Sequence, residues 1–273
     1  MPELPEVESV RRGVEEHLRG RTFTSVEVLH PRANRGQEEP LAALLVGRTV
    51  AAAARRGKFM WLEFADEDPS DPGRDVLFIH LGMSGQVRVG AVDSRHVRIR
   101  ARMDDGTQVS FVDQRTFGYW RVGPWASISH IAADPLEADF DAVAAARRLR
   151  SKRSMVKSVL LDQTVVSGIG NIYADEALWA AQIPPVKRAN TLRQRDALAL
   201  LDAASSVMRT ALAAGGTSFD ALYVNVNGES GYFDRSLHAY GRGGQPCDRC
   251  GTPLVKTVVG GRGTHYCPVC QAA

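Results

Sequence analysis

Four cysteines stand in the last 27 residues of the chain, as Cys247-x2-Cys250 and Cys267-x2-Cys270 with 16 residues between the pairs. Each Cys-x-x-Cys turn can aim two thiolates at one ion. Four thiolates close a tetrahedral shell with no open position, so the spacing predicts one structural rather than catalytic zinc ion. A single pair would suit a redox dithiol as well; two pairs at this separation favour zinc. His265 lies inside the module, but four thiolates leave it unneeded as a ligand. Val255–Val259 and Thr264–Tyr266 predict a hairpin around Gly260-Gly261-Arg262-Gly263, with Arg262 at or near its tip. A cation there can reach a phosphate; a solvated turn arginine is the alternative.

A second signal is Ser167-Gly168-Ile169-Gly170-Asn171, which opens a helical pattern. Two glycines let backbone approach a ligand, and the first N–H groups of a helix suit an anion. An ordinary helix–helix turn explains a lone Gly-x-Gly more simply. Upstream, however, lies a basic run of Arg147, Arg148, Arg150, Lys152, Arg153 and Lys157, and a smaller cluster holds Arg55, Arg56 and Lys58. Net charge is only +3, with acidic residues gathered at Asp66-Glu67-Asp68, Asp71 and Asp75. Such runs are often plain solvated surface. With the glycine turn and the cysteine hairpin they point to duplex DNA as the partner.

These groups need elements to carry them. Leu4–Leu18 reads as a helix, with Pro5 in its first turn and Val7, Val10, Val14 and Leu18 in one apolar stripe. From Thr22 to Val122 the pattern is mostly strand. Phe23–Val28 alternates, Phe59–Phe64 and Val76–Ile79 are short buried runs, and His96–Met103 alternates strictly before an Asp105-Gly106 turn and Val109–Val112. Closely spaced strands predict an antiparallel sandwich, with Asp66–Asp75 as a surface loop. After Asp134-Pro135 helical patterns dominate: Phe140–Leu149, Met155–Leu161, Asn171–Ala181 and Leu192–Ala214, the last ended by Gly215-Gly216. The expected organisation is a catalytic sandwich over 1–128, a linker over 129–138, a helical domain over 139–240 and a zinc module over 241–273. Hydrophobic content of 44% and charged content of 24% are ordinary for a globular protein. No run approaches ~20 apolar residues and the acidic N-terminus has no signal core, so neither membrane insertion nor secretion is indicated and a cytoplasmic monomer is expected.

Taken together, Met1-Pro2-Glu3-Leu4-Pro5-Glu6-Val7-Glu8, His80-Leu81-Gly82-Met83-Ser84-Gly85, Asp113-Gln114-Arg115-Thr116-Phe117-Gly118, Gly168-Ile169-Gly170-Asn171 and the four cysteines resemble, in type and order, the bacterial formamidopyrimidine-DNA glycosylases. The resemblance runs from residue 2 to residue 270. It implies an α+β multidomain fold: an N-terminal β-sandwich with an N-terminal helix, a helical helix–two-turn–helix domain and a C-terminal four-cysteine zinc-finger β-hairpin, with DNA between the domains. It also implies a bifunctional DNA glycosylase/AP lyase of base excision repair, acting on 8-oxoguanine and formamidopyrimidines. Thr116 stands where many relatives carry a basic residue, and the acidic loop near Asp71 looks long; neither touches the implied chemistry.

The resemblance makes Pro2 the nucleophile, once Met1 has been removed to leave a secondary amine. An α-amino group titrates near ~8, so a useful fraction is neutral at neutral pH. Glu3 is implied to protonate the opening sugar ring. Glu6, one helical turn on, is a candidate to orient the site, with an ordinary first-turn glutamate as the alternative. By the same resemblance Lys58 supports elimination and Arg262 contacts phosphate and donates a proton in the second elimination, while His96, Lys152 and Asn171 hold the DNA backbone. A glycosylase must take its base out of the stack. Met83 and Phe117 are the implied apolar wedges and Arg115 the contact to the orphaned base, where core packing is the plain alternative for Met83 and Phe117. Glu229–Phe233 resembles a loop that closes over the flipped base, with Gly228 and Gly231 permitting its motion. Two rival readings stand beside this one: the sibling endonuclease VIII type, which prefers oxidised pyrimidines, and a non-enzymatic zinc-ribbon DNA-binding protein.

Overall fold

The computed structural model describes residues 2–216, 226–227 and 236–272. They form two compact units: 2–130 with 214–216 and 226–227, and 131–213 with 236–272.

The first unit opens with helix α1 (Leu4–Leu18). Its stripe of Val7, Val10, Val14 and Leu18 is buried in a core shared with Phe23, Met60, Leu62, Leu77, Phe111 and Trp120. Those residues come from two antiparallel four-stranded sheets. One runs β1 (Phe23–Val28), β6 (Val97–Met103), β7 (Gln108–Val112), β5 (Gln86–Val89); the other runs β2 (Val50–Arg56), β3 (Phe59–Phe64), β4 (Asp75–His80), β8 (Tyr119–Pro124). In β6 the alternation Val97, Ile99, Ala101, Met103 faces inward, as a period of two requires of a half-buried strand. A short helix α2 (Leu41–Leu45) adds two leucines to the same core. Strand β2 carries four consecutive alanines, which are weak strand formers; its pairing with β3 from Arg56↔Phe59 to Val50↔Phe64 makes it a strand.

The second unit holds α3 (Ala142–Arg150), α4 (Val156–Leu160), α5 (Asn171–Ala180) and α6 (Gln194–Ala213). Asp141 caps α3 by accepting from the Ala144 amide at 2.8 Å. The hairpin of β9 (Val255–Val259) and β10 (Arg262–Tyr266) is joined by Gly260-Gly261, both at positive φ, the conformation that two-residue hairpin turns demand. Arg262 is therefore the first residue of β10, beside the tip.

Two assignments of residues differ from the expected organisation. The hairpin groups with the helices, because the buried Lys157 of α4 and Asp175 of α5 bond directly to β10. Val226 groups with the sandwich: it is buried in that core, Gly13 of α1 leaves it room, and its carbonyl accepts from the Val89 amide at 3.1 Å. Among the described residues, no helix is long and apolar enough to cross a membrane.

Candidate active site

Pro2 and Glu3 are fixed by the start of α1. Pro5 occupies the first turn, and the Glu3 amide donates to the Glu6 carboxylate at 2.9 Å in a capping box. Both residues are buried. Glu6 thus has a defined structural task at the helix start. Lys58 reaches the same place from the β2–β3 turn, where Arg56 pairs with Phe59 and Gly57 takes φ +57°. At 9% exposure Lys58 is no surface lysine. Pro2, Val7, Lys58, His80, Leu81 and Gly82 line one open recess.

Glu8, one turn further along α1, braces this arrangement. Its carboxylate accepts from Arg11 and Arg55 Nε at 2.9 Å each and from Arg12 Nε at 2.8 Å, and Arg55 also donates to the Gly57 carbonyl at 3.2 Å. Burial pushes the Glu8 carboxyl up, but the three guanidiniums overcome it and hold it at about 2. The turn carrying Lys58 is thereby tied to the helix that carries Pro2.

His80 is a recess residue to which the sequence reading gave no role, although it opens the His80–Gly85 motif. Its ring stacks on Tyr119 at 5.2 Å between centroids, and Nδ1 accepts from the Gly82 amide at 3.1 Å, so in the neutral ring the proton sits on Nε2. Burial first, then the nearby cations Arg35 and Lys58, lower its pKa to about 4. It is a neutral donor at physiological pH.

Beside the recess, two loops present Met83 and Phe117. They are 38% and 44% exposed, so neither is core. Asp113 organises both loops: one oxygen accepts from Ser84 Oγ at 2.6 Å and the Arg115 amide at 3.1 Å, the other from the Gly118 amide at 2.7 Å. Gly82 has φ +61° and lies against the Phe117–Gly118 backbone, where no side chain would fit. Thr116 takes φ +55°, a strained conformation for a β-branched residue. The Arg115 guanidinium meets the Met83 sulfur at 3.9 Å, a weak contact. His96 lies between Arg95 and Arg98, each 3.3 Å from a ring nitrogen, and Arg98 bonds the Asp113 carbonyl at 2.7 Å.

In the second unit, the glycine turn does open α5, with Gly170 as its N-cap. Asn171 Nδ2 donates to the Gly263 carbonyl at 3.0 Å, next to Arg262. Lys157 departs from the expected basic surface. It is wholly buried, 2.6 Å from Asp175, and donates to the Gly263 carbonyl and Thr264 Oγ1 at 2.8 Å each. Desolvating a charge is tolerated only with such complete pairing. Lys152, Arg153 and Arg262 are exposed. The expected closing loop, Glu229–Phe233, lies outside the described residues.

The Sγ atoms of Cys247, Cys250, Cys267 and Cys270 lie within 4.8 Å of one another, close enough to share one ion at a Zn–S distance of ~2.3 Å. His265 is not part of this cluster; its amide and Nδ1 bond Asp175 at 2.8 and 3.2 Å. The Trp179 indole N–H donates to Cys247 Sγ at 3.4 Å, which links α5 to the metal site.

Models of three domains match the chain: the formamidopyrimidine-DNA glycosylase N-terminal domain over residues 1–120, the formamidopyrimidine-DNA glycosylase H2TH domain over 131–222, and the zinc finger found in FPG and IleRS over 244–273. A formamidopyrimidine-DNA glycosylase of Corynebacterium aurimucosum is 77% identical over 99% of this chain and 96% of its own. The chain belongs to the formamidopyrimidine-DNA glycosylase family. It is a DNA glycosylase with the family's sandwich, helical and zinc-finger parts, and the four cysteines hold one structural zinc ion. Among solved structures, a Lactococcus lactis FPG mutant in complex with Fapy-dG containing DNA has a TM-score of 0.89 at 34% identity, covering all of both chains. The wild-type Lactococcus lactis FPG in complex with an oxidized pyrimidine containing DNA gives 0.87 at 34%, again over all of both chains.

Proposed function

We propose that this chain excises oxidised purines, 8-oxoguanine and formamidopyrimidines, from duplex DNA and then breaks the strand at the resulting site by β,δ-elimination. The observation that carries the reading is the recess in which Pro2 at the head of α1 meets the buried Lys58 and the neutral His80. The Pro2 nitrogen, a secondary amine once Met1 is gone, attacks the sugar C1′. The C1′–base bond breaks and the base leaves with its electron pair, while Glu3 protonates the ring oxygen as the sugar opens. The iminium between Pro2 and C1′ acidifies the C2′ hydrogen. Its loss expels the 3′ phosphate, and Arg262 serves the second elimination at the 5′ side. Lys58 assists from within the recess, and His80 offers its Nε2–H to the phosphate or sugar. His96, Lys152 and Asn171 hold the backbone, and Met83 and Phe117 fill the space left by the flipped base. The protein acts as a monomer.

Borohydride reduction of the reaction on 8-oxoguanine duplex is expected to trap one protein–DNA adduct, mapped by peptide sequencing to Pro2. An adduct on Lys58 would overturn the assignment. Removal of oxidised pyrimidines is the second reading, favoured by the oxidized-pyrimidine complex of the Lactococcus lactis relative. Trapping on thymine glycol duplex as strong as on 8-oxoguanine duplex would make it the better one.

Arg115 is the reader of the opposite base in this mechanism. Arginine carries only donors; an unpaired cytosine offers adjacent O2 and N3 acceptors, whereas adenine sets an amino donor beside its one ring acceptor. An unmatched polar group in a closed site costs ~1–3 kcal/mol, so excision of 8-oxoguanine opposite cytosine should exceed that opposite adenine by roughly ten- to a hundredfold. Arg115→Ala should shrink this ratio in single-turnover assays. An unchanged ratio would make Arg115 a phosphate contact instead.

A further inference from the structure

The residues that flip a base and the residues that react with its sugar sit on different loops, and one side chain outside every motif named above joins them. The segment 30–37 runs along the outer edge of β8. A short 3-10 turn, Pro31–Asn34, ends at Arg35, and Gln37 Oε1 accepts the Val122 amide of β8 at 2.8 Å. Arg35 Nη2 donates to the Phe117 carbonyl at 2.6 Å and Nη1 to the Gly118 carbonyl at 3.2 Å, so one guanidinium fork holds the backbone on which Phe117 stands. The same guanidinium lies over the Tyr119 ring, 4.7 Å from its centroid. Tyr119 is the cross-strand partner of His80 and stacks on it with 12° between planes. The series Phe117 carbonyl, Arg35, Tyr119, His80 thus runs unbroken from the exposed wedge to the reaction recess.

We propose that Arg35 is a positioning residue that couples insertion of the Phe117 wedge to the arrangement of His80 in the recess, so that base flipping and assembly of the reacting groups occur together. This deepens, and rests on, the glycosylase reading above. Arg35 acts through Phe117 and through the Tyr119–His80 stack. Lysine cannot replace it, because a single ammonium cannot span two carbonyls while lying flat on a ring. The groups facing His80 are Arg35 and Lys58 as cations, the Tyr119 and Phe59 rings, the Gly82 amide and Pro2 across the recess. Both cations disfavour the imidazolium, so removal of Arg35 raises the pKa of His80 from about 4 toward its ordinary value.

The test compares wild type, Arg35→Ala, Arg35→Lys, Phe117→Ala and the Arg35→Ala/Phe117→Ala double variant in single-turnover excision of 8-oxoguanine from duplex, with His80 titrated by NMR in the first two proteins. Wild-type excision itself establishes the glycosylase reading, so its failure is distinct from failure of the coupling. Both arginine variants are expected to slow excision at least about tenfold, the double variant to be no slower than the slower single variant within about twofold, and His80 to titrate at higher pH in Arg35→Ala. Excision by Arg35→Ala within twofold of wild type, additive losses in the double variant, rescue by Arg35→Lys, or an unmoved His80 titration would each overturn the coupling.

Discussion

Protein that retains one residue ahead of Pro2 is expected to lose base excision by about a thousandfold or more, while binding abasic-site duplex nearly as well as the processed chain. The reason is electronic. In an amide the proline nitrogen lends its lone pair to the carbonyl, so it can neither attack C1′ nor form an iminium, whereas every side chain of the recess is unchanged. Removal of a nucleophile that acts with its neighbours as a unit costs far more than removal of a supporting group, because nothing else in the site supplies the missing step. The competing outcome is migration of the role to Lys58, whose buried amine shares the recess with Pro2. Matched preparations with and without a removable N-terminal residue, assayed for excision, trapping and duplex affinity, decide the matter. Excision by the blocked protein within about tenfold of the free one would mean that Pro2 is not the nucleophile.

The blocked chain also isolates what position along the sequence can and cannot tell. Helix α1 was legible to its ends, because Pro5 and a single apolar stripe fix both its start and its face. The β6–β7 hairpin was legible through strict alternation and Asp105-Gly106. Strand β2 was not, since alanines at 51–54 carry no strand signal and only pairing with β3 shapes them. The cysteines announced themselves by spacing. Lys157 misled, because a run of basic residues looks like surface until its partners are known, and one of them, the Gly263 carbonyl, lies 106 residues away. His80 and Arg35 were illegible for a similar reason. The properties that matter at His80 come from Arg35, Lys58 and Tyr119, three stretches brought to it by the pairing of β4 with β3 and β8 and by the bond of Gln37 to Val122, and from the Gly82 amide two residues on.

Chelation of the zinc is expected to unfold the β9–β10 hairpin, leave the sandwich unit folded, and lower affinity for abasic-site duplex by about a hundredfold. A structural zinc site of this kind contributes on the order of 10 kcal/mol of folding free energy, more than a hairpin of two five-residue strands can replace. The loss spreads along α5, because that helix is bonded to the module at several points. Trp179 donates to Cys247, Asp175 accepts from the His265 amide, and Glu176 accepts from the amides of His238, Ala239 and Tyr240 at 2.8–3.0 Å. Once β10 is gone, Lys157 keeps Asp175 but loses the Gly263 and Thr264 oxygens, and Asn171 loses the Gly263 carbonyl. The exposed Arg262 is displaced with its strand, so the phosphate contact proposed for it goes too, and the salt dependence of duplex binding should become shallower. Trp179, stacked on His238 at 4.4 Å, supplies a local fluorescence signal for the event. Cys250→Ser should reproduce the chelated state at reduced metal content, and readdition of zinc should restore binding only in the unsubstituted protein. Undiminished duplex affinity after complete removal of zinc would show that the hairpin takes no part in holding DNA, and Arg262 would lose its assigned role in the second elimination.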